Sequence, residues 1–375
     1  MLARTFAGTT VGVAGQVIQV EVDLAAGLPG VTIVGLPDAS IQESRERIRA
    51  AIRNSGLKFP LARITVNLAP AVVRKEGVNF DLAIALGILA ASEQLPALTI
   101  SAVLCGELGL DGCLRPVRGV LALAADLERL GHRELIVSQA SAAEAAMVEG
   151  LTVRRATTLR DVVAHLAGDE PLAIEPWRNP AMVAAAPGLP HHADRAGPRG
   201  GPWSSTELVD LADVRGQPTA RRALEISAAG YHNLLLSGPP GSGKTMLATR
   251  LASLLPPLAF HEALEITRIH SVAGQLAPGQ HWVHERPLRA PHHTASDIAL
   301  IGGGPRARPG EVSLAHRGVL FLDELPEFSR SLLESLRQPL VDGAVSVSRA
   351  SAHYRYPASF FLVATMNPCC CVAFL

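Results

Sequence analysis

The chain has 375 residues, enough for two domains with cores of their own. Its 34 Lys+Arg balance 34 Asp+Glu, which excludes a globally basic nucleic-acid binder and leaves any such role to local patches. Hydrophobic residues make up 48% and aromatics only 4%, so the cores must be built from Ala, Val and Leu, as in an ordinary soluble α/β protein.

From Thr10 to Asp23, apolar and polar residues partly alternate (Val11, Val13, Val17, Val20, Val22), which predicts a strand. Gln16, Gln19, Glu21 and Asp23 interrupt the apolar character too soon for a signal peptide. Val31–Val34 reads as a second strand, closed by Gly35-Leu36-Pro37. Asp38 then has the character of a helix N-cap, with Ile41, Arg45, Ile48 and Ile52 at helical spacing and Gly56 as the stop. A strand over Ile64–Leu68 and a helix over Phe80–Ser92 follow; its apolar core, Leu82–Ala91, is about half of what a membrane span needs. A glycine-punctuated hairpin is expected over Val103–Val117, then short αβ units to Ala167. This density of mixed elements predicts one α+β domain over residues 1–168.

Between Gly168 and Ser204 the pattern dissolves into prolines and glycines, with a His191-His192 pair, so residues 169–205 are expected to be a linker. A histidine pair without Cys or further His nearby reads as solvated rather than metal-binding. Cys105 and Cys113 are simplest as small core residues, and Cys369-Cys370-Cys371 make a poor disulfide framework. The expected compartment is reducing cytosol: a soluble, cytoplasmic chain with no membrane partner.

The second domain, residues 206–375, carries the clearest chemistry. A helix over Ala220–Ala229 precedes an apolar run, Leu234-Leu235-Leu236, and then Gly238-Pro239-Pro240-Gly241-Ser242-Gly243-Lys244-Thr245. The spacing Gly-x-x-x-x-Gly-Lys-Thr between strand and helix is that of a phosphate-binding loop. Backbone N–H groups and the positive end of the following helix would cradle phosphates. Lys244 would reach the β- and γ-phosphates of ATP, and the Thr245 hydroxyl would ligate Mg²⁺. Downstream, Gly318–Leu322 is an apolar strand ending on Asp323 and Glu324. After such a loop, Asp323 is expected beside Mg²⁺ and Glu324 as the group that activates water. A further strand, Phe360–Thr365, ends on Met366-Asn367; Asn367 could sense the γ-phosphate or simply serve a turn.

Asp213-Val214-Arg215-Gly216-Gln217, the loop at 238–245, Arg289-Ala290-Pro291-His292-His293-Thr294, Gly302-Gly303-Gly304-Pro305, the run Arg308–Gly318, Leu322-Asp323-Glu324 and Met366-Asn367-Pro368 stand in a family order. In that order the chain resembles the YifB/ComM-type, magnesium-chelatase-like AAA+ ATPases over nearly its whole length. The resemblance implies a P-loop AAA+ αβα domain after an N-terminal Lon-protease-like α+β domain, giving an α/β protein overall. Lys244 and Thr245 become Walker A residues, Asp323 and Glu324 Walker B, and Asn367 sensor 1. It implies an ATPase using ATP and Mg²⁺, self-association into a ring (a hexamer), and action on DNA in recombination or natural transformation.

The long stretch between the loop and Asp323 is filled in the family by an inserted hairpin that can face a ring's pore. Here it holds His261, His270, His281, His284, His292, His293 and His316, with Arg268, Arg286, Arg289, Arg306 and Arg308. Contact with a nucleic-acid backbone and a merely solvated surface are both open for these residues; ligand spacing for zinc is lacking. A Lon-type peptidase would need a serine and a lysine, but Asn79 and Leu121 stand near those positions, so peptide hydrolysis is not expected. Relatives continue past the sensor with a cysteine-containing stretch, an arginine finger and a helical lid. The sequence after Cys371 looks like unrelated tail, so the AAA+ domain is expected to lack its lid and to hydrolyse ATP poorly. Two rivals remain: a magnesium-chelatase subunit driving metal insertion into a porphyrin, and an inactive nucleotide-binding remnant acting as an interaction module.

Overall fold

In a computed structural model, residues 1–71, 75, 77–96, 98–178, 210–277, 279–304, 307–349 and 352–368 are described. Leu2–Val11 (β1) and Ala14–Ala25 (β2) form an antiparallel hairpin that pairs Leu2 with Asp23 and Val11 with Ala14. The sequence pattern suggested a single strand across 10–23. The valines keep their spacing through the reversal at Gly12 (φ 62°), so the pattern alone hides the turn.

Gly30–Val34 (β3), helix Ala39–Asn54 (α1), Arg63–Ala69 (β4) and helix Asp81–Ala91 (α2) follow. Asp38 caps α1 as expected, its carboxylate accepting the Ile41 N–H at 2.9 Å. Every residue of α2 is buried, which explains its uninterrupted apolar character. Thr99–Cys105 (β5) is a central strand and not half of a hairpin; only Glu107–Leu108 (β6) and Leu114–Arg115 (β7) form one. Helix Val120–Leu127 (α3), Glu134–Ser138 (β8), helix Gln139–Ala145 (α4), Thr152–Ala156 (β9) and helix Leu159–Ala167 (α5) complete this part.

The first seven-stranded sheet runs β3-β4-β2-β1-β5-β8-β9. β1, β2 and β4 are joined antiparallel, and β5, β8 and β9 extend the sheet in parallel from β1. Helices cover both faces: Thr5 donates to the Ala83 carbonyl of α2, while Gly15 faces α3, where a Cβ would lie 2.8 Å from the Leu123 Cα. Residues 172–175 run beside β9, with the Arg155 N–H on the Ala173 carbonyl and the Glu175 N–H on Val153, so the stretch read as linker opens with ordered backbone. Its remainder, including His191 and His192, lies outside the described residues.

The chain divides into two compact units, Met1–Pro180 with Arg349–Ala352, and Ala181–Ser348 with His353–Leu375. In the second, Pro218–Gly230 (α6) leads into Leu234–Ser237 (β10) and Lys244–Leu254 (α7). Then come Phe260–Ala273 (α8), Leu288–Arg289 (β11), Asp297–Ile301 (α9), Gly302–Gly303 (β12), Arg308–Pro309 (β13) and Glu311–Leu314 (α10). Val319–Leu322 (β14), Arg330–Ser335 (α11), Arg337–Asp342 (α12), Ala344–Arg349 (β15), Ala352–Pro357 (β16) and Phe361–Met366 (β17) follow.

Four strands form one sheet, β10-β17-β14-β11, and every pair is parallel. Along β14 the side chains alternate: Val319 and Phe321 join a core with α6 and α7, Leu320 and Leu322 a core with α9, α10 and α11. Helices therefore cover both faces, a mixed α/β layering that fits an AAA+ fold. The hairpin within the stretch between the loop and Asp323 is short, pairing only Gly302 with Pro309 and Gly303 with Arg308. A longer one, β15–β16, lies between Asp323 and Asn367, where sequence patterning indicated nothing. No helix among the described residues is long and apolar enough to cross a membrane.

Candidate functional site

Because the four strands of the second sheet are parallel, their carboxyl ends share one edge, where ligands of open α/β sheets bind. β10 leads into Gly238, β17 into Asn367 and β14 into Asp323, and the chain after β11 continues to His292 and His293.

The glycine-rich loop is built as its spacing demands. Gly241 and Gly243 take φ 79° and 86°, left-handed values that a side chain would resist. The Gly238 N–H binds the Met366 carbonyl at 3.3 Å and so ties the loop to β17. Lys244 opens α7, and its ammonium donates to the carbonyls of Gly238 (2.8 Å) and Pro239 (2.9 Å) and to Asn367 Oδ1 (2.9 Å). Thr245 donates its hydroxyl to Asp323 Oδ2 at 3.1 Å. The first-turn amides of α7 have no intrahelical acceptor, as at any helix start.

Asp323 has a second hydroxyl partner: Thr365 Oγ1 donates to its Oδ1 and accepts the Glu324 N–H at 3.0 Å. Glu324 sits in left-handed backbone, φ 55° and ψ 54°, with an exposed side chain. Gln217, also at positive φ (52°), donates through its side-chain amide to the Ser242 carbonyl at 3.4 Å. The structure thus brings Gly238, Pro239, Lys244 and Asn367 together, and Thr245 with Asp323, with Glu324 next in chain. Pro240, Gly241, Ser242 and Gly243 complete the loop. One atom fits a bound anion: Ser242 Oγ is buried and has no hydrogen-bond partner.

Sequence reading treated Thr365 only as part of a strand. Its signal was available: it stands two residues before Asn367, on the same side of an otherwise apolar strand. The basic residues of the insert need correcting. Arg286 is only 9% exposed and donates to the Pro256 and Arg317 carbonyls and to Glu262; Arg289 forms a two-pronged pair with Glu311 at 2.6 and 2.8 Å. These two guanidiniums are engaged within the fold. His316 accepts the Ser359 N–H on Nδ1 and meets Glu265 through Nε2 at 3.1 Å, so it is held neutral, and burial lowers its pKa. His270 meets the Leu314 carbonyl at 3.1 Å, and burial lowers its pKa to about 4. His292 and His293 face one another with ring centroids 4.1 Å apart. Arg306 lies outside the described residues, as do Cys369, Cys370 and Cys371.

In the first unit, the two positions examined for peptidase chemistry offer none. Leu121 is fully buried in the first turn of α3, and the Asn79 carbonyl accepts the Gly106 N–H at 3.4 Å. Burial pushes the Cys105 thiol up to about 12, with Glu144 adding to the shift, so Cys105 is a core residue as expected.

The second unit is thus a parallel α/β layer with a lysine-bearing glycine loop facing a carboxylate pair. Comparison with known proteins places it further. Residues 210–375 match the family described as magnesium chelatase, subunit ChlI, and residues 20–141 match subunit ChlI of Mg-chelatase. Competence protein ComM of Haemophilus influenzae is 46% identical over 370 residues, 98% of this chain and 69% of its own length. YifB of Salmonella typhimurium is 46% identical over 368 residues, 98% of this chain and 68% of that protein. A magnesium-chelatase 67 kDa subunit of Heliobacterium mobile is 29% identical over 188 residues, 43% of this chain and 28% of that one. The chain belongs to the YifB/ComM family of magnesium-chelatase-like proteins.

Proposed function

We propose that the second unit binds ATP with Mg²⁺ and hydrolyses it, as part of a ring-forming, hexameric motor that acts on DNA in recombination or natural transformation. The observation that carries the ATPase reading is the contact of Lys244 with Asn367 and of Thr245 with Asp323 at the carboxyl ends of adjacent parallel strands, with Glu324 next in chain. Lys244 exchanges the loop carbonyls for the β- and γ-phosphates, while the loop amides and Ser242 bind the remaining phosphate oxygens. Thr245 and Asp323 would hold Mg²⁺, and the chemistry the ion would supply there is neutralisation of the phosphate charge. Glu324 orients the attacking water and takes its proton, and Asn367 fixes the position of that water or of the γ-phosphate.

The DNA role rests on family likeness and on the ComM relative being a competence protein. Arg286 and Arg289 do not support it, so backbone contacts fall to other basic residues. The first unit serves as a Lon-like domain without peptidase activity. Metal insertion into a porphyrin is the second reading, favoured by the chelatase family descriptions; likeness to the Heliobacterium mobile chelatase subunit covers 43% of the chain, against 98% for ComM.

The test compares nucleotide binding and ATP hydrolysis of the chain and its Glu324→Gln variant, with and without single-stranded or forked DNA. The proposal expects Mg²⁺-dependent nucleotide binding in both proteins, hydrolysis about 100-fold or more slower in the variant, and salt-sensitive stimulation by DNA. Absence of nucleotide binding sinks the ATPase reading. Hydrolysis equal in both proteins removes Glu324 from the chemistry, and indifference to DNA at low salt removes the motor's substrate.

A further inference from the structure

Thr365 lies at the last-but-one position of β17 and is 1% exposed. It is a hydroxyl in a strand whose preceding residues, Phe361-Leu362-Val363-Ala364, are all apolar. A buried hydroxyl must find partners or destabilise the fold, and this one finds two: its proton goes to Asp323 Oδ1, and its lone pair takes the Glu324 N–H at 3.0 Å. The other oxygen of Asp323 accepts from Thr245 at 3.1 Å.

From this geometry we infer that Thr365 is the positioning residue for both carboxylates, the one that aims Asp323 at the cation site and fixes the backbone from which Glu324 projects. The inference rests on the Mg²⁺–nucleotide reading of the site and adds to it a residue which that reading does not use. Three facts support it. First, Asp323 is held by one hydroxyl on each oxygen, so its plane is fixed with Oδ2 toward Thr245 and Oδ1 anchored behind. Second, Glu324 occupies a left-handed conformation, φ 55°, that needs support from its surroundings. The Thr365 hydroxyl supplies that support on the amide side, and the Glu327 N–H on the Glu324 carbonyl (2.8 Å) supplies it on the other. Third, β17, which carries Thr365, leads directly into Asn367, which meets Lys244, so one strand supports both halves of the site.

The hydroxyl contacts neither the loop nor Lys244 in this structure. Its loss should therefore leave the phosphate-binding half intact and disturb only the half that depends on Mg²⁺. The natural variant is Thr365→Val, which keeps the branched shape and removes the hydroxyl; Thr365→Ser keeps the hydroxyl. The probe is a fluorescent ADP analogue titrated onto the whole chain in EDTA and in Mg²⁺.

The expected result is an unchanged affinity in EDTA for all three proteins. In Mg²⁺, Thr365→Val should lose about 10-fold or more of the cation's enhancement, the scale of a hydrogen bond to a charged group, and Thr365→Ser should recover it. A Thr365→Val chain with the wild-type Mg²⁺ response overturns the inference, as does a Ser variant that behaves like Val. Because Val could also disturb folding, hydrogen exchange on the wild-type chain gives an independent readout. The Glu324 amide should be strongly protected, and rapid exchange there overturns the inference without any variant. If the wild-type chain binds no nucleotide in either buffer, the failure belongs to the nucleotide reading, while the Glu324 amide still reports on Thr365.

Discussion

Asp81, in the first turn of α2, is 1% exposed and depends on Arg47 of α1. The guanidinium grips it with two bonds, Nε to Oδ2 at 2.6 Å and Nη2 to Oδ1 at 3.1 Å, and the Leu108 N–H adds a third at 3.2 Å. Burial raises the Asp81 pKa, and the pull of Arg47 opposes this without cancelling it. Arg47→Met keeps most of the aliphatic stem but leaves a buried carboxylate with a single backbone donor. Removing one partner of a buried pair costs about 3–5 kcal/mol. The sign with pH follows: a folded pKa raised above the unfolded value means stability fully present below that value, near 3.8, and lost as pH rises through the folded pKa. The variant's deficit should therefore be largest at pH 7 and shrink on acidification. Arg47→Met with Asp81→Leu removes both charges and should recover most of the loss. Urea-dependent hydrogen exchange at the amides of α2 measures this locally. A deficit under about 1 kcal/mol at pH 7, or a double variant no better than the single, would refute the reasoning.

Two further expectations concern the second unit. Gly318 precedes β14, and a Cβ there would lie 2.0 Å from the Pro287 carbonyl oxygen, which accepts the Val319 N–H at 2.7 Å. Gly318→Ala should cost about 1–3 kcal/mol, read as a lower urea midpoint, and should weaken Mg²⁺–nucleotide binding by displacing the strand that carries Asp323. His270 and His316 both have folded pKa values below the ordinary 6.5, mainly through burial. The unfolded chain then binds more protons, so stability is present above pH 6.5 and lost as pH falls toward the folded values. For His270, falling to about 4, that is about 3 kcal/mol at most; a second unit equally stable to urea at pH 7.5 and pH 5 would contradict it.

What could be read beforehand follows the range of the interactions. The glycine-rich turn between β10 and α7 and the Asp38 cap depend on residues within a few positions, and their spacing made both legible as local structure. The β1–β2 turn also is local, but Gly12-Val13 lacks the Asn-Gly or Asp-Gly chemistry that marks a tight reversal. Strand β5 runs straight into Gly106, Gly109 and Gly112, so its end read as one arm of a hairpin. The partners of Arg286 and Arg289 lie 22 or more residues away, and composition cannot distinguish a bracing arginine from a presented one. Thr365 and Asp323 are 42 residues apart and meet only because β14 and β17 pair in parallel register.

The conformation of Glu324 bears on why that residue is there at all. For most side chains, left-handed backbone is unfavourable by roughly 1–2 kcal/mol, and Gly or Asn would be more at ease. Selection for a durable fold alone would thus drift position 324 toward Gly. If Glu324 activates water as proposed, its exposed carboxylate at φ 55° is a position where durability yields to that demand. Stabilising libraries should recover Glu324→Gly readily, so a screen for thermostability would tend to erase this carboxylate.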